Sequence, residues 1–365
     1  MAEAVRIGII GTGGIARAHA ENVRNNPDSV LVGGVDVSPD ARASFSEEYD
    51  VPAYESYEEL RDNGLDAIII TTPNRFHAEY ATKALADDIH VLCEKPLADT
   101  LTNAEEIVEA EANSDAVAMV GFNNRFIYPT ESVKNAIESG HMGDVVHVSA
   151  NWIRRRGIPG RGGWFTRQDL SGGGSMIDIG VHVLDVALYL LGNPVVEEVS
   201  AITRQHFGTR DDYTSLDFYG DDNGPAGFDV DDSVTAFIRC EDDKTIVLEA
   251  AWAANREDDS TITVVGTEAG ARFDIKETDV EYFEVDRSPD AETPLPTPTH
   301  VGDHRNGHVE ELDYFLSVIT SEVELTQNTV QEACDVQRVI DAIYKSSEAN
   351  QAVELNAQSP PELSH

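Results

Sequence analysis

Apolar residues come in short unbroken runs through the first third of the chain. Val5–Ile10, Val30–Val35, Ala67–Thr72, Ile89–Cys93 and Ala116–Gly121 read as five strands. Runs without alternation belong to strands covered on both faces. Between them lie segments with helical spacing: Gly14 to Asn25, Pro39–Tyr49, Ser56–Asn63, Phe76 to Ala86 and Asn103–Ala112. Strand alternating with helix predicts an α/β fold around a parallel sheet.

The pattern changes after residue 122. A helix is predicted near Thr130–Ser139 and a strand at Val145–Trp152. A loop rich in glycine and arginine runs from Arg154 to Gly174, and a helix from Ser175 to Leu191 stops at Gly192-Asn193-Pro194. Later segments alternate apolar with polar: Glu198–Gln205, Ser233–Arg239, Thr245–Ala253, Thr261–Val265, Ala271–Ile275 and Val280–Val285. That period predicts antiparallel strands whose outer face needs cover, as a homo-oligomer (a dimer or tetramer) would supply. Helices are expected near Gly307–Ile319 and Val330–Ser347, and the tail NAQSPPELSH is expected to fray. The expected division is a nucleotide-binding domain at 1–122, a substrate and oligomerisation domain at 123–355, and a tail at 356–365.

Charge narrows the function classes. Asp plus Glu number 67 against 26 Lys plus Arg, a formal net charge of −41. The acids come in short groups through the periodic segments, such as Asp87-Asp88 and Asp242-Asp243. Dense carboxylates of this kind suit a halophilic cytoplasm, where salt screens their repulsion, and they predict instability at low salt. Repulsion from phosphate argues against nucleic acid as a partner. No basic leader or long apolar run marks a signal or a span, so a cytoplasmic protein with no membrane partner is expected. Cys93, Cys240 and Cys334 share no metal-ligand spacing, and neither a metal nor a disulfide is expected.

Four motifs carry chemistry. Gly11-Thr12-Gly13-Gly14-Ile15-Ala16 joins the first strand to the first helix and fits the dinucleotide-binding fingerprint. Gly11 allows the tight turn, Gly13 lets the backbone approach a pyrophosphate, and Ala16 permits close helix–strand packing. Asp36 ends the second strand, where a carboxylate accepts from the ribose hydroxyls and repels a 2′-phosphate; NAD is favoured over NADP, with Arg42 the residue that could reverse this. Thr71-Thr72-Pro73-Asn74-Arg75-Phe76-His77 lies at the carboxyl end of the third strand. Asn74 there is either a helix cap or a cofactor contact, and His77 is structural or cofactor-adjacent. Glu94-Lys95-Pro96-Leu97 ends the fourth strand. Lysine is scarce (Lys83, Lys95, Lys134, Lys244, Lys276 and Lys345 are the full set), so Lys95 at a strand end asks for a role.

In the second region Asp178, His182 and Asp185 share one stripe of an otherwise apolar helix. Burying such groups is costly unless they are paired or used. Gly172-Gly173-Gly174 before the helix lets the backbone pass close to something, such as a ligand. Arg154-Arg155-Arg156 is a rare basic cluster that binds an anion, pairs across an interface or is solvated. Trp164 and Phe165 offer an apolar wall to a sugar ring or pack in the core.

GTGGIA, TTPNRFH, EKPL and GGGSMIDIGVHVLD, in this order and spacing, resemble the family of glucose–fructose oxidoreductase and inositol dehydrogenase (Gfo/Idh/MocA) over residues 5–350. The resemblance implies a Rossmann domain followed by an α/β domain with a large open, mainly antiparallel sheet. It implies catalysis by Lys95, Asp178 and His182, with Asp185 either a substrate contact or a support for His182. It implies cofactor contacts from Gly11, Gly13, Gly14, Ile15, Asp36, Thr72, Asn74, His77, Glu94 and Lys95, and a cis bond between Lys95 and Pro96. Substrate contacts are then expected from Lys95, Trp164, Asp178 and His182.

The expected activity is NAD-dependent oxidation of a secondary alcohol in a cyclic polyol or sugar, the inositol type first. An aldose 1-dehydrogenase with NAD or NADP, an NAD-using glycosidase and a non-catalytic nucleotide-sensing regulator are the alternatives. A regulator needs no acid–base set, which counts against it.

Overall fold

A computed structural model of the chain describes residues 4–216, 222–285, 299–302, 305–321 and 323–355. The tail expected to fray lies outside them.

The near-continuous apolar runs form a six-stranded parallel sheet: β1 (Val5–Ile10), β2 (Ser29–Val35), β3 (Ala53–Tyr54), β4 (Ala67–Ile70), β5 (His90–Glu94) and β6 (Ala118–Gly121). Its order is β3-β2-β1-β4-β5-β6. The helices between are α1 (Gly14–Asn25), α2 (Pro39–Tyr49), α3 (Tyr57–Arg61), α4 (His77–Ala86) and α5 (Leu101–Ala112). Strand order reverses between β1 and β4, and in open α/β sheets the crevice at the carboxyl ends there takes the ligand. Gly11 and Thr71 leave the sheet at that point.

The later helices are α6 (Tyr128–Glu138), α7 (Gln168–Ser171), α8 (Val181–Leu191), α9 (Gly307–Ile319) and α10 (Val330–Ala349). The alternating segments form a nine-stranded sheet from β7 (Val145–Ile153), β8 (Val196–Arg204), β9 (Ser233–Cys240), β10 (Thr245–Ala251), β11 (Thr261–Gly266), β12 (Gly270–Asp274), β13 (Asp279–Phe283), β14 (Thr299–Val301) and β15 (Val353–Glu354). The order is β14-β13-β12-β11-β7-β10-β9-β8-β15, antiparallel except where β10 meets β7. Helix α8 packs on β7, and alternate residues such as Ile202, Phe237, Val265 and Phe283 stay partly exposed. Residues Gln168–Leu191 are long and apolar enough to cross a membrane by composition, yet 83% of that window is buried, which marks a core helix.

The chain forms two compact units that interleave along the sequence. The first takes Met1–Phe126, Arg167–Gly172 and Arg305–Gln337; the second takes Ile127–Thr166, Gly173–His304 and Arg338–His365. The reason lies in the first core. Leu312, Phe315 and Leu316 of α9 pack with Ile7, Ile9, Ala20, Leu31, Phe45 and Ile69. Each such side chain contributes about 1.5–3 kcal/mol when fully buried. Asn328 continues the join, donating to the Val120 carbonyl at 2.9 Å. Cys93, Cys240 and Cys334 are free and buried.

Candidate active site

The glycine loop is open where a pyrophosphate would approach. Gly11 has φ +87°, and a Cβ there would meet the Thr72 backbone nitrogen at 3.0 Å, so glycine is required. A Cβ at Gly13 or Gly14 would meet nothing within 4 Å, and Gly13, Gly14 and Ile15 are exposed. Gly13 caps α1 without a side chain. The first N–H groups of α1 are therefore left to an anion. Ala16 is fully buried, as close packing of α1 requires.

Asp36 braces this loop. Its Oδ2 accepts from the Thr12 N–H at 2.9 Å and the Thr12 hydroxyl at 3.1 Å, and its Oδ1 accepts from the Ser38 N–H at 2.8 Å. Arg42 turns back on the main chain, donating to the carbonyls of Asp36 at 2.7 Å and Val37 at 3.1 Å. These residues fit a dinucleotide with free ribose hydroxyls.

At the end of β4 Asn74 does not cap a helix. Its amide donates to the Ser171 carbonyl at 2.7 Å, because a 3₁₀ turn at Asn74–Phe76 precedes α4 and takes the cap position away. The Thr72 hydroxyl is buried with no hydrogen-bond partner among the described residues. His77 is buried, with Nδ1 2.8 Å from the Pro96 carbonyl and Nε2 2.9 Å from the Thr72 carbonyl. Burial pushes its pKa below the ordinary histidine value, against the pull of both carbonyls. His77 thus ties the Thr72 turn to the Lys95–Pro96 step, whose peptide bond is cis. Glu94 accepts the Lys95 N–H at 3.1 Å on one oxygen and meets His19 Nε2 at 2.8 Å on the other.

In the second unit a π-turn at Met176–Gly180 leads into α8. From Ser175 to Leu191 every residue is buried except Asp178, His182 and Tyr189. Asp178 and His182, one turn apart, are thus two of the three open positions of a core helix, whereas Asp185 is buried. The Trp252 indole N–H donates to Asp178 Oδ2 at 2.8 Å. The Trp152 ring lies 5.2 Å from the His182 ring, and its indole N–H is buried with no partner among the described residues. Trp164 stacks on Phe165 at 3.7 Å, both partly exposed.

One expectation changes here. The Gly172–Gly174 run does pass close to something, but to the protein itself: a Cβ at Gly172 would strike the Asp99 carbonyl, one at Gly173 the Tyr344 ring and one at Gly174 the Asp231 backbone. The arginine cluster, foreseen as binding an anion, pairing across an interface or solvated, is exposed at Arg155 and also holds its own loop. Arg154 donates to the Gly157 carbonyl at 3.2 Å, Arg155 to that of Arg256 at 3.1 Å and Arg156 to that of Ala254 at 3.2 Å, pinning loop carbonyls.

Sequence reasoning missed Trp152, Trp252 and Asp231. Asp231 holds the start of the Asp178–His182 helix by accepting from the Gly174 N–H (2.8 Å), the Met176 N–H (3.0 Å), the Ser175 hydroxyl (2.6 Å) and the Tyr344 hydroxyl (2.8 Å). The one signal in the sequence is an acid at the end of Phe228-Asp229-Val230-Asp231, ahead of a strand.

Residues 5–122 match the model of an oxidoreductase family with an NAD-binding Rossmann fold, Gfo/Idh/MocA, and residues 130–272 match a C-terminal domain of the same family. The chain belongs to this family. Proteins similar to it include the D-glucoside 3-dehydrogenase of Escherichia coli (strain K12), 29% identical over 356 residues, which are 96% of this chain and 97% of that one. The myo-inositol 2-dehydrogenase of Thermotoga maritima is 33% identical over 199 residues, 54% of this chain and 58% of that one. Among solved structures, levoglucosan dehydrogenase in complex with NADH has a TM-score of 0.82 at 22% identity, covering 96% of this chain and 99% of that one, a likeness of fold alone. A Gfo/Idh/MocA chain is an oxidoreductase, and the family's parallel and mainly antiparallel sheets are the two found here.

Proposed function

We propose that the protein oxidises a secondary hydroxyl on the ring of a sugar, glycoside or cyclic polyol and passes the hydride to NAD. The observation that carries this reading is the pair Asp178 and His182, open positions on a buried helix with Trp252 fixing the acid. His182 takes the hydroxyl proton, for which imidazole is suited. Asp178 favours the charged ring that results. Lys95 of the first unit lends a cation to the developing alkoxide. When bound, NAD accepts the hydride. Trp152 offers its unpaired indole N–H, and Trp164 an apolar face, to the sugar.

The full-length relative named for a glucoside and the partial one named for an inositol both motivate ring hydroxyls as the target. The test is a panel of inositols, aldoses and methyl glycosides with NAD or NADP in molar KCl, followed at the NADH absorbance. Net NADH from an inositol or a methyl glycoside, with a ketone product, is expected. A methyl glycoside has no free anomeric carbon, so activity confined to free aldoses with a lactone product would favour an aldose 1-dehydrogenase instead. Glycoside cleavage without net NADH would mark the glycosidase reading.

NAD preference follows from Asp36 and from Arg42 being spent on main-chain carbonyls. Val37 is 82% exposed, so an arginine there is free to reach a 2′-phosphate. Asp36→Ala with Val37→Arg should raise the NADP/NAD ratio of kcat/KM by roughly 10- to 100-fold, the scale of one charged hydrogen bond gained. A wild type that already prefers NADP would contradict the role given to Asp36.

A further inference from the structure

The first unit holds a buried ionic cluster that the chemistry above does not use. His19 projects from α1, Glu94 ends β5, and His308 and Glu311 lie one turn apart on α9. His19 is 1% exposed, Glu94 7% and Glu311 0%. His19 Nε2 meets Glu94 Oε1 at 2.8 Å, and the other Glu94 oxygen accepts the Lys95 N–H at 3.1 Å. The His308 ring stands edge-on to that of His19, centroids 5.4 Å apart. His308 Nδ1 is 3.7 Å from Glu311 Oε2, an ion-pair distance too long for a hydrogen bond. Buried polar atoms without a hydrogen-bond partner among the described residues gather here: His19 Nδ1, His308 Nδ1 and both Glu311 oxygens.

Two carboxylates inside a protein cost several kcal/mol each unless cations face them. His19 and His308 face both carboxylates and Lys95 faces Glu94, while the Glu94 charge works against that of Glu311. Burial pushes the Glu94 carboxyl up, but the His19 contact, with His308 and Lys95 behind it, outweighs burial and brings it to about 2. Burial pushes His308 down, yet Glu311 and Glu94 hold it above the ordinary histidine value. Burial raises Glu311, and His308 opposes that.

A metal ion is the rival occupant, since ligand atoms of His19, Glu94 and His308 lie within 4.8 Å of one another. The 2.8 Å contact between His19 and Glu94 favours a shared proton there. Two ligands of one tetrahedral ion, with bonds near 2.0–2.1 Å, stand about 3.3 Å apart.

We propose that His19, His308 and Glu311 are positioning residues: a proton-holding cluster that grips the Glu94 carboxylate, and through it the backbone N–H of Lys95, so that the lysine is presented in one place. The proposal rests on the reading of Lys95 as catalytic. The test compares His19→Ala, His19→Gln and Lys95→Ala at saturating NAD on the best substrate of the panel. His19→Ala should lower kcat by about 10- to 100-fold, the scale for a misplaced catalytic group, with NAD affinity changed less than about 3-fold. His19→Gln, which keeps a donor toward Glu94, should recover most of that loss. Wild-type kcat in His19→Ala beside a large loss in Lys95→Ala overturns the cluster's role. Wild-type kcat in Lys95→Ala sinks the reading of the lysine instead.

Should His19→Ala not fold, the imidazole NMR titration of Glu311→Gln decides. His308 should titrate above the ordinary histidine value in wild type and lower in the variant; an unchanged titration overturns the proposal. One equivalent of Zn²⁺ or Co²⁺ that raises the melting temperature of wild type but not of His308→Gln would place an ion where the proton is assigned, and would overturn it too.

Discussion

Lys95→Ala is expected to bind NAD nearly as well as wild type and to lose about 10²-fold or more in kcat, the scale for removing one charge partner of a transition state. The residue sits where β5 ends, with Glu94 holding its N–H and His77 holding the Pro96 carbonyl. Both sides of one lysine are therefore fixed at the backbone, in a chain that has only six lysines. His182→Ala should fall by about 10²- to 10⁴-fold, the scale for a lost general base. The two should not multiply: if both act on one oxygen, the double variant loses less than the product of the singles. Steady-state turnover together with NAD titration separates these outcomes. Wild-type turnover in Lys95→Ala would leave Lys95 a loop charge and nothing more.

Asp231→Ala should be the most damaging stability change outside the hydrophobic core. The carboxylate takes two main-chain N–H groups and two hydroxyls; its removal strands the Met176 N–H and both hydroxyls and leaves the Gly174 N–H only a 3.3 Å contact to the Tyr344 oxygen. Stranded buried donors cost about 1–3 kcal/mol each, and with partial hydration a total near 3–5 kcal/mol is expected. Burial and the adjacent Asp231 charge raise the Tyr344 hydroxyl well above its ordinary pKa, so it stays a donor across the working range. Asp231→Asn keeps the shape but turns an NH₂ toward donors, and should fall between. A thermal melt within about a degree of wild type for Asp231→Ala would show that another group holds the helix start. Because Asp178 and His182 follow on this helix, residual activity should fall with the melting temperature.

Elements with a long, clean period are legible in the sequence. β1, α1, α2 and α9 begin and end where the apolar spacing puts them. The two-residue strands at Ala53–Tyr54 and Val353–Glu354 are too short to carry a period, and pairing with a neighbour makes them strands. The Gly172–Gly174 run does mark a close approach, but glycine reports the closeness and not the identity of the neighbour. Trp252 is 74 residues from Asp178 in sequence, and Asp231 is 57 from Gly174, so no local pattern links either to the helix it holds. Asn74 shows the opposite limit. A local rule offers a cap, and a carbonyl 97 residues away takes the amide instead.

The interleaving of the units has a consequence for the order of synthesis. By Phe126 the ribosome has made every strand of the parallel sheet. The α9 side chains that finish its core, Leu312, Phe315 and Leu316, have not been made. From Phe126 to Gly307, where α9 begins, is 181 residues. At about 5–20 residues per second that gap lasts roughly ten to forty seconds. Throughout it the nascent core stays open where α9 will sit, which makes the emerging chain a client for whatever shields such surfaces until its own last sixth arrives.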